Sequence, residues 1–271
     1  MSDIFDIAGK VAVLTGAGGV LGGGMAEYLG AQGAKIAVVD LAEEMAEAKA
    51  ESIRAAGGEA VGIAGNVLQR DSIEQATDDV LKKWGRIDIL INAAGGNKKE
   101  ATASKDLSFF DIPEDAMRFV VDLNLLGTVL PSQVVGRQMV SQSAGVIVNI
   151  SSMNSFRPLT RIVGYSVAKA AVNNFTQWLA VHLAQEYSPE IRVNAIAPGF
   201  FETAQNRFLL RDESGTLSAR GEQIIAHTPA NRFGAPNDLY GTLHWLVSPA
   251  SGFVSGIVVP VDGGFSAFSG V

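Results

Sequence analysis

The stretch TGAGGVLGGG, residues 15–24, decides the fold of this chain. It is rich in glycine and stands between the apolar run VAVLT (11–15) and a helical pattern that begins near residue 22. Glycines in such a turn let the backbone approach a phosphate group, and the start of a helix favours negative charge. A glycine-rich turn also serves simply to pack a helix tightly against a strand, so the loop alone leaves both interpretations open.

Outward from this loop, short β-branched runs alternate with helical patterns. Most of the runs are apolar throughout, as expected of strands buried on both faces. Strands are predicted at 11–15, 35–40, 59–65, 86–92, 145–151, 191–197 and 256–261. Helices are predicted at about 22–33, 43–56, 70–84, 113–141, 165–187 and 236–247. Asp71 and Glu74 are expected to form a capping box on the third helix.

Repeated strand–helix–strand units predict an α/β fold. We expect residues 1–271 to form a single-domain, Rossmann-type, doubly wound parallel sheet of about seven strands with helices on both faces. The segment 200–235 has weak periodicity and interrupts the strand rhythm, which predicts a substrate lid rather than a plain connection.

Composition narrows the classes of function. The chain has 271 residues, of which 47% are hydrophobic and 18% charged, a net charge of −7 and no cysteine. Net negative charge argues against nucleic acid as a partner, and the absence of cysteine excludes thiolate catalysis and cysteine-based metal sites. The three histidines are far apart in sequence, so we predict no metal site. Neither a secretory signal nor a long uninterrupted apolar run is evident, which predicts no membrane partner and a cytoplasmic location.

The glycine loop fits the spacing T-G-x-x-x-G-x-G, with Thr15, Gly16 and Gly22 in place. It does not fit G-x-G-x-x-G, because Leu21 stands at the third glycine position. The former pattern is that of the short-chain dehydrogenase/reductase family, which this sequence resembles over nearly its full length. Val20 departs from the family pattern, since it stands where the middle glycine usually lies.

The resemblance implies a nicotinamide cofactor. Asp40 ends the second strand, where a carboxylate hydrogen-bonds the adenosine ribose diol and repels a 2′-phosphate, so we predict NAD (NADH). Capping of the following helix is the alternative role for Asp40. The resemblance also implies an adenine contact near residue 66, a cofactor floor from INAAG (91–95), and a turn at 198–199 beside the nicotinamide. The predicted cofactor-binding residues are Thr15, Gly16, Gly18, Gly19, Val20, Leu21, Asp40, Asn66, Val67, Asn92, Ala93, Ala94, Gly95, Tyr165, Lys169, Pro198 and Gly199.

The motif YSVAK places Tyr165 and Lys169 four residues apart, on one face of a helix. Ser152 precedes Tyr165 by 13 residues, which is the family's spacing between its serine and tyrosine, and Asn124 matches the family's asparagine. The resemblance implies that Tyr165 is the acid/base and Lys169 its electrostatic helper. It further implies that Ser152 holds the reacting oxygen and that Asn124 holds a water.

Longer stretches, such as VNISSMNSFRPLT (148–160), resemble the D-mannonate oxidoreductase (fructuronate reductase) branch of the family. That resemblance implies NADH-dependent interconversion of D-fructuronate and D-mannonate. Polar and basic side chains near the expected pocket fit a hydroxylated acid. The predicted substrate-binding residues are Asn97, Ser152, Asn154, Arg157 and Tyr165, with Lys98, Lys99, Gln205, Asn206 and His227 as further candidates.

Two other functions stay open. One is reduction of another keto-acid, a keto-sugar or a 3-oxoacyl thioester on the same scaffold. The other is a non-catalytic NAD-binding sensor, although such a protein would be expected to lose part of the catalytic set. The resemblance also implies a homotetramer built through the two long helices, and the tail FSAFSGV (265–271) is expected either to cover a neighbouring subunit's pocket or to fray.

Overall fold

The computed structural model describes residues 3–203 and 207–270 of the chain. Within these ranges the strands are β1 (Val11–Thr15), β2 (Lys35–Asp40), β3 (Glu59–Ala64), β4 (Ile89–Asn92), β5 (Gly145–Ile150), β6 (Ile191–Pro198) and β7 (Val258–Val261). All strand pairs are parallel, and the sheet order is β3-β2-β1-β4-β5-β6-β7. The order reverses between β1 and β4, so a crevice opens at their carboxyl ends, where ligands bind in sheets of this kind.

Helices cover both faces of the sheet. Their bounds in the described ranges are α1 (Val20–Ala31), α2 (Glu43–Ala55), α3 (Arg70–Trp84), α4 (Glu114–Val121), α5 (Gly127–Gln142), α6 (Val163–Glu186), α7 (Arg207–Leu210), α8 (Ala219–Ala226) and α9 (Tyr240–Val247). Helices α1, α2 and α9 pack on one face and α3, α5 and α6 on the other. Along β1, Ala12 and Leu14 enter the first core while Val11 and Val13 enter the second. The continuous apolar strand pattern thus reflects burial on both faces, and the predicted fold class is confirmed.

The predicted helix over 113–141 is interrupted. A π-helical turn, Asp122–Leu126, joins α4 to α5. Inside it, the Asn124 side-chain amide donates to the Val120 carbonyl (2.8 Å), and the Thr128 hydroxyl donates to the Asn124 carbonyl (2.9 Å). Side chains therefore satisfy carbonyls within the turn, which local helical periodicity does not reveal.

The expected capping box on α3 is wrong. The helix begins at Arg70 and its N-cap is Gln69, without a side-chain capping bond. A turn at Asn66 sets this start, because the Asn66 side-chain oxygen accepts from Leu68 N (3.0 Å). Glu74 instead lies 3.8 Å from the Arg70 guanidinium.

The helical stretch Glu114–Gln142 passes the length and composition test for a membrane span, with a mean hydropathy of 1.4 in its most apolar window. Half of that window is buried inside the molecule. The same stretch buries the polar side chains of Asn124, Thr128 and Ser132. These properties are those of a core helix that packs on a sheet.

The segment 200–235 carries the short helices α7 and α8 in place of regular strand rhythm. The carboxyl-terminal tail packs on this same segment. The Phe265 ring lies 5.2 Å from that of Phe200, and the Phe268 ring lies 6.3 Å from that of His227. At Phe265 and Phe268 the tail thus packs against its own chain and does not fray. Its covering of a neighbouring subunit's pocket stays a prediction.

Candidate active site

The glycine loop is pressed against the segment that follows β4. Gly16 has a φ of +65°, and a Cβ atom there would lie 2.6 Å from the Ala94 Cα, so only glycine fits. Ala94 N also reaches the Thr15 hydroxyl oxygen (3.4 Å). Helix α1 starts after Gly19 with no acidic residue in its first turn. Free N–H groups at a helix start, beside a close backbone, form a cradle for a phosphate.

Val20 opens α1, and its side chain is 38% exposed. It replaces the usual middle glycine without entering the core. The close packing of the loop is therefore compatible with a branched side chain at this position.

Asp40 ties the second strand to the glycine loop. Its Oδ2 accepts from Gly18 N (2.9 Å), and its Oδ1 lies 3.4 Å from Ala42 N. The N-cap of α2 is Ala42, so Asp40 does not cap that helix. The Gly18 contact has no signal in the sequence, because it joins residues 22 positions apart.

The Asn92 side chain faces the core beneath the crevice. Its Nδ2 donates to Ser132 Oγ and to Asn149 Oδ1, both at 2.9 Å. Asn92 thereby anchors the end of β4 from below, while Ala93 and Ala94 continue toward the glycine loop. At the adenine side, Val67 is buried and packs near Gly127.

The four predicted catalytic residues converge beside this floor. A Cβ atom on Gly95 would lie 2.7 Å from Asn124 Oδ1 and 3.2 Å from Lys169 Nζ. Lys169 Nζ lies 5.7 Å from the centre of the Tyr165 ring. Ser152, at the end of β5, makes a hydrogen bond with the Tyr165 hydroxyl. The sequence reasoning thus identified side chains that meet at one place next to the cofactor cradle.

The π-helical turn fixes Asn124. Its Oδ1 accepts from Gly96 N (3.1 Å) and its Nδ2 donates to Gly96 O (2.7 Å), and the residue is fully buried. These two bonds clamp the loop after β4 onto the helix. Asn124 is therefore rigidly held next to Lys169.

Burial shapes the electrostatics of the site. Lys169 is buried, its Nζ donates to the Ile150 carbonyl (2.7 Å), and burial lowers its pKa to about 8. Burial raises the pKa of the partly buried Tyr165 above its ordinary value, and the Ser152 hydroxyl opposes that shift. A positive charge near the phenol favours its ionised form, so the Lys169 ammonium acts in the direction that a base requires.

The predicted substrate residues have different surroundings. Asn97 is exposed and donates to Thr102 Oγ1 (2.8 Å), and Arg157 is exposed. Arg211 and Arg232 are paired with Glu202 and Asp238, whereas Arg157 makes no ion pair within the described residues.

Asn154 supports the segment between the serine and the tyrosine. It is buried, and its Oδ1 accepts from Leu159 N (2.6 Å) and from the Ser166 hydroxyl (3.0 Å). Its backbone N donates to Ser152 Oγ (3.3 Å). Asn154 thus binds protein groups, and its contact with substrate stays a prediction.

The further candidates for substrate binding are Lys98, Lys99, His227, Gln205 and Asn206. Lys98 Nζ lies over the Phe119 ring (5.4 Å), and Lys99 is exposed. His227 is exposed, and its Nδ1 bonds the Gln223 carbonyl (2.9 Å). Gln205 and Asn206 lie outside the described residues. Across residues 3–203 and 207–270 no three histidine or acidic side chains cluster as a metal site.

Comparisons with known proteins agree with this arrangement. A family model described as "short chain dehydrogenase" matches residues 10–214. An uncharacterized oxidoreductase of Bacillus subtilis (strain 168), UxuB, is 47% identical, with 98% of each chain covered.

Two solved structures extend the comparison. A Haemophilus influenza protein, assigned as a candidate D-mannonate oxidoreductase and solved with bound NAD, has a TM-score of 0.93 and 43% identity, with 98% of each chain covered. A gluconate 5-dehydrogenase from Burkholderia cenocepacia, solved with NADP and tartrate, has a TM-score of 0.87 and 32% identity, again with 98% of each chain covered.

Proposed function

The chain belongs to the short-chain dehydrogenase/reductase family, and on that premise we propose that it is an NAD(H)-dependent oxidoreductase of a sugar acid. The proposed reaction interconverts the ketone of D-fructuronate and the secondary alcohol of D-mannonate. The observation that carries the proposal is the convergence of Ser152, Tyr165, Lys169 and Asn124 beside the glycine loop.

The nicotinamide supplies the hydride chemistry when it is bound. The protein must then handle the proton on the reacting oxygen. Ser152 Oγ accepts from Asn154 N and bonds the Tyr165 hydroxyl, so its O–H lies beside the phenol, where it can hold that oxygen. The Tyr165 hydroxyl donates the proton in reduction and accepts it in oxidation. Acid–base help of this kind contributes roughly 10²–10⁴-fold in rate.

Lys169 has two roles in this proposal. One of its N–H groups is held by the Ile150 carbonyl, which leaves the others for the cofactor ribose. Its charge favours the Tyr165 phenolate when the reaction runs toward the ketone. Asn124 keeps Gly96 and the adjoining loop in place beside the ammonium.

The cofactor choice rests on Asp40. The glycine cradle fits a dinucleotide, and the Asp40 carboxylate stands at its edge with Glu43 and Glu44 in the following turn. The Asp40 charge disfavours a 2′-phosphate, which supports NAD over NADP. Bound NAD in the Haemophilus influenza structure points the same way, and NADP in the Burkholderia cenocepacia structure makes the choice worth testing.

The substrate class rests on Arg157 and on the relatives. An exposed arginine without an ion-pair partner, in the segment between Ser152 and Tyr165, can bind a carboxylate with two parallel hydrogen bonds. The second candidate is a 5-ketogluconate-type reductase, favoured by the likeness to a gluconate 5-dehydrogenase. A 3-oxoacyl thioester fits less well, because the segments around the site are polar. A non-catalytic sensor fits less well again, because the whole catalytic set is present.

The decisive experiment is an NADH oxidation assay across fructuronate, tagaturonate, 5-ketogluconate and an acetoacetyl thioester. We expect fructuronate to give the highest kcat/KM. Tyr165→Phe is expected to remove turnover while NADH still binds. Unchanged turnover in that variant contradicts the assigned chemistry, and a preference for 5-ketogluconate selects the second candidate.

We further propose a homotetramer of single-domain subunits, each with a substrate lid over residues 200–235. Exposed apolar side chains on the outer faces of α4 and α6 support the assembly. The cytoplasm is the proposed location, which cell fractionation tests.

A further inference from the structure

The catalytic face of α6 continues for one more turn beyond Lys169. Tyr165, Lys169 and Asn173 are spaced by four residues, so they lie on one side of the helix. Asn173 is half-buried, and its neighbour Asn174 is exposed. The amide of Asn173 therefore points toward the end of β5, where Ser152 lies.

Asn173 joins the two residues that flank the catalytic serine segment. Its Oδ1 accepts a short hydrogen bond from the Ser151 hydroxyl, and its Nδ2 donates to Ser155 Oγ (2.7 Å). Ser155 Oγ in turn donates to the Ser152 carbonyl (2.5 Å). Because Ser155 uses its proton on that carbonyl, it must accept from the Asn173 amide nitrogen, which fixes the orientation of the amide.

We propose that Asn173 is a positioning residue that holds the Ser152 hydroxyl in register with Tyr165. The inference rests on the proposed function, in which Ser152 holds the reacting oxygen. Ser152 lies at the strand end with its backbone carbonyl held by Ser155 and its Oγ held by Asn154 N (3.3 Å). Asn173 closes this set of bonds from the same helix that carries Tyr165, so strand and helix move together.

Loss of Asn173 removes the donor to the Ser155 hydroxyl oxygen and the acceptor of the Ser151 hydroxyl, which loosens the short helical turn Met153–Ser155. A small displacement of a group that positions the reacting atom lowers the rate by an order of magnitude or more. The cofactor cradle at the glycine loop lies on other elements. Cofactor binding is therefore expected to be independent of Asn173.

The test compares Asn173→Ala with the matched control Asn174→Ala. We expect Asn173→Ala to lower kcat by about tenfold or more, with NADH Kd unchanged. Asn174→Ala is expected to keep the wild-type kcat. Equal kcat values for the two variants overturn the proposal.

A double-mutant cycle separates positioning from general loosening. In a Ser152→Ala background, Asn173→Ala is expected to lower kcat by less than about twofold, because the group on which it acts is gone. The same loss of kcat in both backgrounds overturns the proposal. If Ser152→Ala alone keeps the wild-type kcat, the proposed function fails instead.

Ser155→Ala provides a second variant, since it removes the hydroxyl that accepts from Asn173 and donates to the Ser152 carbonyl. We expect Ser155→Ala to lower kcat as Asn173→Ala does when Ser152 is present. In the Ser152→Ala background we expect it to have little effect on kcat. Wild-type kcat in Ser155→Ala contradicts the proposed route, whether or not Asn173→Ala folds.

Discussion

Lys169 carries an ammonium group that is buried against the Ile150 carbonyl, and its pKa falls to about 8. Between pH 8 and 10.5 the folded state thus binds fewer protons than the unfolded state. The cost of burying the charge is fully present below pH 8, and it disappears as the pH rises toward 10.5. The residue proposed to promote the chemistry therefore lowers the stability of the fold at neutral pH.

We predict that Lys169→Met raises the free energy of unfolding at pH 7 by up to about 3 kcal/mol, so that it unfolds at higher urea concentration than the wild type. Turnover is lost in the same variant. The difference in free energy of unfolding between Lys169→Met and the wild type should narrow steadily as the pH is raised above 8. Urea titrations at several pH values measure this difference. A gap that is constant with pH would show that burial of the charge is not its cause.

In our proposal, Asp40 selects NAD over NADP. Asp40→Ala is expected to raise the ratio of kcat/KM with NADPH to that with NADH by about tenfold or more, because repulsion of the 2′-phosphate is lost. Glu43→Ala is the matched control, since it removes an exposed acid from the next turn. An equal change of the ratio in both variants would assign the effect to net charge rather than to a ribose contact.

At the scale of elements, we propose that the segment between β5 and α6 sets substrate preference. Arg157→Ala is expected to raise KM for a keto-sugar acid by about tenfold or more, with little effect on a neutral ketose, because a charged hydrogen bond to the carboxylate is lost. Arg161→Ala, an exposed arginine of the same segment, serves as the control. If KM rises equally for acid and ketose, Arg157 does not bind the carboxylate.

The sequence predicts secondary-structure elements well where burial determines the pattern of hydrophobic residues. The strands of a doubly covered sheet are apolar throughout, so β1, β2 and β5 stand out and their order along the chain follows. The catalytic set was also identifiable, because Tyr165 and Lys169 lie within one helical turn and Ser152 lies at a strand end. These features depend on local spacing alone.

Other features depend on contacts between distant residues. The π-helical turn holds Asn124 against Gly96, and the Asp40 contact with Gly18 joins the end of β2 to the loop after β1. Asn173 was missed, although its spacing of four residues after Lys169 was a usable signal. The capping box failed because the turn at Asn66 set the helix start.

At the scale of the molecule, apolar side chains are exposed on the outer surface of the helices. Phe119 of α4, Trp178 and Val181 of α6 are exposed, and Trp178 stacks on His182 (4.7 Å). Burial of such a surface against a second copy would stabilise an assembly.

We predict that Trp178→Glu yields a smaller species than the wild type in light-scattering mass measurements. Phe253→Glu, which changes a fully exposed aromatic outside these helices, should leave the mass unchanged. The same mass for wild type and Trp178→Glu would place the subunit contacts elsewhere.

The packing of the carboxyl-terminal tail on the segment 200–235 has a practical consequence for labelling. Gly263 O accepts from Ala230 N (3.0 Å), and Phe265 and Phe268 rest against Phe200 and His227. A fluorophore attached near the carboxyl terminus would report movement of the segment 200–235, whereas a bulky purification handle there would perturb that segment. Handles intended to be silent belong at the opposite terminus.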